Sequence, residues 1–170
     1  DRAFPEGELL VPVSIVPGQT LAIGATAVGV EFVSATNNVS MQNSGTIDVS
    51  AVTDGAQAQA FGVRVLNYEA PVVVTPPAMT LLAAAPDVFT LSNLGGTIRA
   101  RTSTDGGASF KRGIAIDTSN APNMAVINLE GAAAGNGVIY GNIDIAAADE
   151  IHVRNGETVF DGIVNPDGTT

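Results

Sequence analysis

The sequence has one histidine and no cysteine, which limits the chemistry that its side chains can perform. His152 stands in the alternating segment EIHVRNG, between Ile151 and Val153. A histidine-based metal site or catalytic triad would need partners that this chain lacks. We therefore expect His152 to be structural or to face solvent, and we name no catalytic and no cofactor-binding residue.

The 17 carboxylates are the next candidates, because enzymes that cleave polysaccharides use paired acids. Asp149 and Glu150 are adjacent, but neighbours on a strand point to opposite faces and cannot act as a pair. Two other pairs could converge in the fold: Asp48 with Asp54, and Asp117 with Asp144. A convergent pair of this kind is one feature that a carbohydrate-active enzyme would need.

Calcium is the one cofactor that the sequence leaves open. Asp54, Asp105 and Asp167 each precede a glycine, as a turn that offers oxygen ligands would. An Asp-Gly dipeptide is also ordinary turn chemistry, and the glycine-rich nonapeptide of calcium-binding β-rolls is absent. The metal ligands are therefore unknown, and we expect no other cofactor.

Composition indicates an all-β protein. The 170 residues suit roughly one domain, and 45% of them are hydrophobic although only 5% are aromatic. The 19 glycines and nine prolines are spread along the chain, which predicts many turns between short strands.

Charge and hydropathy exclude two kinds of partner. The net charge of −10 argues against nucleic-acid binding, which needs clustered Lys and Arg. The longest apolar runs, LLVPVSIV at 9–16 and PVVVTPPAMTLLAAAP at 71–86, are too short or too interrupted by proline to cross a bilayer. We expect no direct membrane insertion of this segment.

An internal repeat organises the chain. NSGTIDVSAVTDGAQAQAFGVRV at 43–65 returns, altered, as NLGGTIRARTSTDGGASFKRGIAI at 93–116. At an offset of 51 residues (47 to 98), three stretches align: 45–47 with 96–98, 53–55 with 104–106, and 62–65 with 113–116. With one residue of slippage, 40–43 aligns with 90–93.

The repeat predicts a β-solenoid. Each short strand alternates apolar and polar residues, so it has one face to bury, and stacked coils bury that face. A 51-residue period fits two coils of about 25 residues each. Asn43 and Asn93 are expected at corners. One continuous core should hold Ile47 (near Ile98), Val49, Val63, Val65, Ile98, Ile114 and Ile116.

The repeat also divides the chain. We expect residues 1–35 to form an N-terminal cap or irregular first coils, and residues 36–170 to form the solenoid, with a Pro-rich insertion at 69–87. Short strands should continue through GVIYGNIDI, EIHVRNG and TVFDGIVN. Since the chain begins without Met and ends on the turn-like NPDGTT, we expect a piece of a longer exported protein.

The runs NSGTIDVSA, GIAID and GVIYGNIDI…DEIHVRNGETVFDGIV resemble the passenger domains of Gram-negative autotransporters, over roughly 38–164. The resemblance implies a right-handed parallel β-helix exported to the bacterial cell surface. The translocator barrel of that family has no counterpart in these residues, so we expect only the exported part.

We therefore expect a non-catalytic, extracellular structural or adhesive protein, displayed as a rod or built into a surface layer or filament. Its partners would be further copies of itself, other cell-surface proteins or glycans, with contacts around 159–164 and 72–83. The alternative is a secreted carbohydrate-active enzyme on the same scaffold. That enzyme would need aromatic platforms beside an acid pair, and the chain has no Trp and two Tyr.

Overall fold

A computed structural model describes residues 24–34, 38–67, 88–132 and 135–166. Within these ranges every regular element is a strand, so the chain is all-β. The strands are β1 (Ala25–Ser34), β2 (Val39–Asn43), β3 (Thr46–Val52), β4 (Ala58–Asn67), β5 (Phe89–Leu94), β6 (Thr97–Ser103), β7 (Lys111–Arg112), β8 (Ile114–Asn120), β9 (Ala125–Glu130), β10 (Gly137–Tyr140), β11 (Asn142–Asp144), β12 (Glu150–Arg154) and β13 (Thr158–Asp161).

The strands form three parallel sheets. Sheet 1 has the order β1-β4-β8-β11, sheet 2 has β2-β5-β9-β12, and sheet 3 has β3-β6-β10-β13. The short β7 pairs antiparallel with β6. From β2 onward the chain visits sheet 2, sheet 3 and sheet 1 in that order and then repeats the circuit. We call each such circuit a layer. No helix in the described ranges is long and apolar enough to cross a membrane.

The repeat predicted how two of the sheets are paired. Residues 40–43 lie opposite 90–93 in β2 and β5, which is the predicted alignment with its one-residue slippage. Ile47 lies opposite Ile98 in β3 and β6, as the offset of 51 residues requires. The later strands in GVIYGNIDI, EIHVRNG and TVFDGIVN are also confirmed.

Two details of the predicted repeat are wrong. Since β2 and β3 pair directly with β5 and β6, the 51-residue repeat is one layer and not two coils. In sheet 1, Val63 lies opposite Ile116, whereas the sequence alignment placed Val65 there. The turn at 104–110 and the short β7 lie between β6 and β8, and they add residues to this layer. A slip of two residues keeps every side chain on the same face, so the alternation of apolar residues could not reveal it.

The core is divided into two clusters. Five of the seven predicted core residues are buried: Val49, Val63, Val65, Ile98 and Ile116. Ile47 is partly exposed and packs against both clusters. Ile114 belongs to neither cluster and lines a small surface cavity instead. The prediction of one continuous core is therefore wrong in two respects. Ile114 is not part of the core, and the core consists of two clusters.

The division follows from a change of face within sheet 1. Four consecutive residues are buried in β4, from Ala60 to Val63, where an alternating strand would bury every second one. Gly62 permits this because a Cβ there would lie 2.5 Å from the carbonyl oxygen of Ala115 and 2.6 Å from Cγ2 of Ile98. The strand therefore places Ala60 in one cluster before Gly62, and Val63 and Val65 in the other cluster after it.

The predicted domain boundaries fall partly outside the described residues. Within the predicted cap at 1–35, β1 pairs in parallel register with β4, from Ala25 opposite Ala58 to Ser34 opposite Asn67. Residues 1–23 and the Pro-rich insertion at 69–87 lie outside the described residues. The insertion stands between β4 and β5 in chain order.

Candidate functional site

His152 lies on the solvent side of β12. Its Nε2 is 2.9 Å from Oε2 of Glu150, and its Nδ1 contacts the guanidinium group of Arg154. These three residues alternate along one strand, so they share its outer face. The surroundings of His152 agree with a structural or solvent-facing role.

The predicted carboxylate pairs have different outcomes. Asp149 is held at a corner, where its carboxylate accepts hydrogen bonds from the Thr118 hydroxyl and from two backbone amides. Glu150 points to the outer face with His152, so Asp149 and Glu150 diverge as predicted.

Asp117 and Asp144 do converge, because they lie opposite each other in β8 and β11. Asp117 is buried, and its carboxylate is engaged by Arg64 Nε at 3.5 Å and by the Ser119 hydroxyl at 2.7 Å. Its contacts therefore stabilise the sheet. Asp48 and Asp54 are not brought together, because Asp54 lies in the turn beyond the end of β3.

The aspartates of the Asp-Gly turns are the candidate calcium ligands, and in the described turns they make contacts within the protein. The carboxylate of Asp105 accepts hydrogen bonds from the Ser103 hydroxyl and from the hydroxyl and amide of Ser109. These bonds hold the pKa of Asp105 far below its usual value, with the Ser103 bond the largest cause. Asp54 forms a backbone bridge with Asp105 across the two turns. Asp167 lies outside the described residues. Among the described residues, no group of three or more His, Cys, Asp or Glu could hold a metal ion.

The outer face of sheet 3 carries the most concentrated set of polar and aromatic side chains. One row crosses all four strands, with each member opposite the next: Asp48 in β3, Arg99 in β6, Tyr140 in β10 and Asp161 in β13. Arg101, Arg112 and Phe110 flank this row. We call these seven residues the arginine face.

Contacts within the arginine face link the row to its flanks. Asp48 lies between two guanidinium groups, 3.3 Å from Arg99 Nη1 and 3.4 Å from Arg101 Nη2. Arg112 forms an ion pair with Asp161. All these ion pairs are exposed, with side-chain exposures between 32% and 47%. Exposed pairs of this kind contribute little to stability and exchange readily with other partners.

Aromatic rings support the guanidinium groups of the arginine face. The guanidinium carbons of Arg99 and Arg112 lie 5.8 and 6.0 Å from the centre of the Tyr140 ring. Arg101 lies 5.0 Å from the centre of the Phe110 ring. Exposed cation–π contacts at these distances are weak attractions, ~0.5–1 kcal/mol, that leave the N–H groups of the arginines available. The face therefore presents several guanidinium donors around an aromatic ring.

A small cavity of about 160 Å³ lies beside Arg112. It is lined by polar groups of Gln59, Thr102, Arg112 and Asn142 together with Phe61 and Ile114. This cavity is too small for a whole drug-sized ligand. It has room for one polar substituent next to Arg112.

The second notable surface is the end of the stack formed by β12, β13 and the residues up to 166. Val153 and Phe160 lie opposite the buried Leu129 and Ile139, and Val164 lies opposite the buried Ile143, so all three continue core columns. They are nevertheless 67%, 38% and 42% exposed. Ile163, beside Val164, is 57% exposed. We call these four residues the open end.

Sequence reasoning found one of these surfaces and missed the other. Three of the four open-end residues, Phe160, Ile163 and Val164, fall within the predicted contact region at 159–164, whereas Val153 does not. The arginine face was missed, because its row joins residues 48, 99, 140 and 161, which no single repeat period connects. The alternation of Arg99 and Arg101 in TIRART was the available signal. The sequence matches no known protein family, no curated protein and no solved structure.

Proposed function

We propose that this chain is a right-handed parallel β-helix, a β-solenoid with three faces. Its support is the fixed order in which the chain visits three parallel sheets. Connections between parallel strands of one sheet are right-handed in nearly all proteins, which gives the coil its hand. Such a stack is a rigid rod in which each layer contacts only its neighbours.

As its function we propose a non-catalytic structural or adhesive rod, outside the cell on the surface of a Gram-negative bacterium or built into a surface layer or filament. The role resembles that of an autotransporter passenger domain. The observation that carries this proposal is the open end. Core columns of Ile and Val run through the layers and reach solvent there as exposed apolar side chains.

The open end gives the rod a way to assemble. A strand edge with free backbone groups pairs with another strand, and apolar side chains next to it add buried area. Both β12 and β13 are the last strands of their sheets among the described residues. The proposed partner of this end is therefore a second copy of the chain, another cell-surface protein or a further coil of a longer polypeptide.

Sedimentation velocity of the 170-residue chain over a range of concentrations tests assembly. We expect oligomers in the native chain and weaker association in Ile163→Glu, because a charge would be buried in the contact. Ala108→Glu is the matched control. Ala108 is exposed in the turn before β7, so this substitution adds the same charge away from the open end. A native chain that stays monomeric at high concentration would count against the proposal.

The alternative is a secreted carbohydrate-active enzyme, and one observation favours it. Tyr140 lies directly opposite Asp161, which places an aromatic ring beside a carboxylate. Asp48 and Asp161 each contact arginine, however, and the structure shows no contact between the two carboxylates. Incubation with surface glycans and esters tests this alternative, and we expect no turnover above background. Reproducible cleavage that is lost on substitution of two specific carboxylates would establish the enzyme instead.

A further inference from the structure

We propose that the arginine face binds a linear acidic polysaccharide, a chain of sugars that carry carboxylate groups. This inference rests on the proposed adhesive function and names its ligand class. The sugar chain would lie across β3, β6, β10 and β13, along the row from Asp48 to Asp161. The guanidinium groups would bind the carboxylates of the sugar chain, and the Tyr140 ring would contact a sugar ring.

Charge is the first argument for an acidic ligand. The arginine face holds three of the chain's seven Lys and Arg residues but only two of its 17 Asp and Glu residues. It is therefore a local exception on a protein of net charge −10. Because charges more than ~8 Å away are largely screened at physiological salt, a bound carboxylate would experience mainly the charges of this face, three guanidinium groups and two aspartates, which sum to +1.

Hydrogen-bond donors are the second argument. A guanidinium group carries five N–H donors in a fork that matches a carboxylate. Arg99, Arg101 and Arg112 each make one hydrogen bond to an aspartate. Their exposures of 41%, 32% and 47% leave the groups within reach of a ligand. The two aspartates can in turn accept hydrogen bonds from sugar hydroxyls.

Spacing is the third argument, and it favours a polymer. Neighbouring strands lie ~4.8 Å apart, so the row from Asp48 to Asp161 is about 14 Å long. The interval between strands is similar to the interval between successive rings of a linear polysaccharide. A sugar chain that runs across the strands would therefore meet Asp48, Arg99, Tyr140 and Asp161 with successive units. The cavity beside Arg112 would take a substituent of one unit.

A nucleic acid fits this face less well than an acidic polysaccharide. Duplex DNA carries one phosphate per ~1.7 Å of axis, and proteins that bind it tightly neutralise several phosphates with clustered Lys and Arg. Three guanidinium groups shared with two aspartates cannot supply that density. A polysaccharide with one carboxylate per unit needs fewer charges and also uses the aromatic ring.

Titration calorimetry of the full chain with polygalacturonate oligomers tests the proposal. Maltooligosaccharides of equal length serve as the neutral comparison and single-stranded DNA of equal charge as the other polyanion. We expect saturable binding of polygalacturonate at low salt, with both comparison ligands at least about tenfold weaker, a factor that corresponds to ~1.4 kcal/mol. Affinity should fall as salt is added, because the contacts are charged.

Substitutions locate the binding on the arginine face. Arg99→Gln and Arg112→Gln should each weaken polygalacturonate binding about tenfold or more, since each removes a charged hydrogen bond. Tyr140→Ala should weaken it as well, whereas Tyr140→Phe should retain it because the ring remains. Arg154→Gln is the control, because it removes an equally exposed positive charge from β12 in sheet 2. Circular dichroism of each variant verifies folding.

The outcomes separate this inference from the proposed function. Absence of polygalacturonate binding, equal weakening by Arg154→Gln, or tighter binding of the DNA would overturn the acidic polysaccharide and leave the assembly results unaffected. Cleavage of the bound polysaccharide would overturn the non-catalytic function while the binding result stands. Binding that is selective for polygalacturonate and lost in the two arginine variants supports the proposal.

Discussion

Asn43 donates a 2.7 Å hydrogen bond from its Nδ2 to Oδ1 of Asn93, which occupies the same position one layer further along. Both side chains are buried at the corner between sheet 2 and sheet 3. Asn93 Nδ2 in turn donates to the carbonyl of Gly96, and Asn43 Oδ1 accepts from the amide of Gly45. The two amides therefore satisfy backbone groups where the chain changes sheets, and they fix the register between layers.

Replacing Asn93 by Ala should destabilise the fold by about 2–3 kcal/mol. The substitution removes two buried hydrogen bonds, each of which contributes about 1 kcal/mol or somewhat more. The Gly96 carbonyl then keeps only the Val138 amide, and the Asn43 side-chain amide keeps only the longer bond to the Thr97 carbonyl. Urea unfolding followed by circular dichroism measures the change. Asn136→Ala is the control, because Asn136 is exposed and bonds only to Glu157, so the expected change is within ~0.5 kcal/mol. Equal losses of stability in the two variants would contradict the stabilising role of the buried Asn93 at the corner.

The corner asparagines also show what the sequence could predict. The repeat placed Asn43 over Asn93 and Ile47 over Ile98, and both placements are confirmed. It worked there because the two stretches differ by a single residue, at the corner after Asn93, and the one-residue slippage accounts for it. Where the two layers differ in length, between β6 and β8, the prediction was two residues out of register.

The arginine face could not be predicted for a related reason. Its row depends on the lengths of three successive layers, and these differ: Ile47 lies opposite Ile98, then Ile139, then Phe160. The later layers carry shorter connections, so no single period places Tyr140 or Asp161. Alternation predicts which residues face outward, whereas the loop lengths decide which outward residues meet.

Gly62→Ala should destabilise the fold strongly, by about 1–3 kcal/mol or more. A Cβ at this position would lie within 2.6 Å of the Ala115 carbonyl oxygen and of the Ile98 side chain, so backbone or core must shift. Gly45→Ala is the control, because a Cβ there meets no atom within 4 Å. Thermal unfolding compares the two variants. A Gly62 variant as stable as the Gly45 variant would show that the two faces of β4 are not packed as described.

Ser103→Ala should raise the pKa of Asp105 toward its ordinary value. The Ser103 hydroxyl is the largest cause of the lowered pKa, followed by the hydroxyl and amide of Ser109. A carboxyl whose pKa is lowered by folding adds stability above its unfolded pKa and loses that stability as the pH falls through its folded pKa. The stability difference between native chain and variant should therefore be present near neutral pH and shrink on strong acidification.

Carbon-detected NMR titration of the Asp105 carboxyl measures this pKa directly. Ser50→Ala is the control, because Ser50 is exposed on β3 and its removal should leave the Asp105 titration unchanged. An unchanged Asp105 pKa in Ser103→Ala would show that the hydroxyl does not hold the turn.

The same substitution made in two adjacent layers tests the stacking itself. Ile98 is fully buried between layers, whereas Ile47, directly opposite it, is partly exposed on the outermost strand of sheet 3. Ile98→Ala should cost about 2–5 kcal/mol, because the cavity it leaves is enclosed on both sides. Ile47→Ala should cost clearly less, since one side of the site already faces solvent and can relax. Urea unfolding of the two variants measures both losses of stability. If the losses are equal, burial between layers does not determine how much each isoleucine contributes to the stability of the fold.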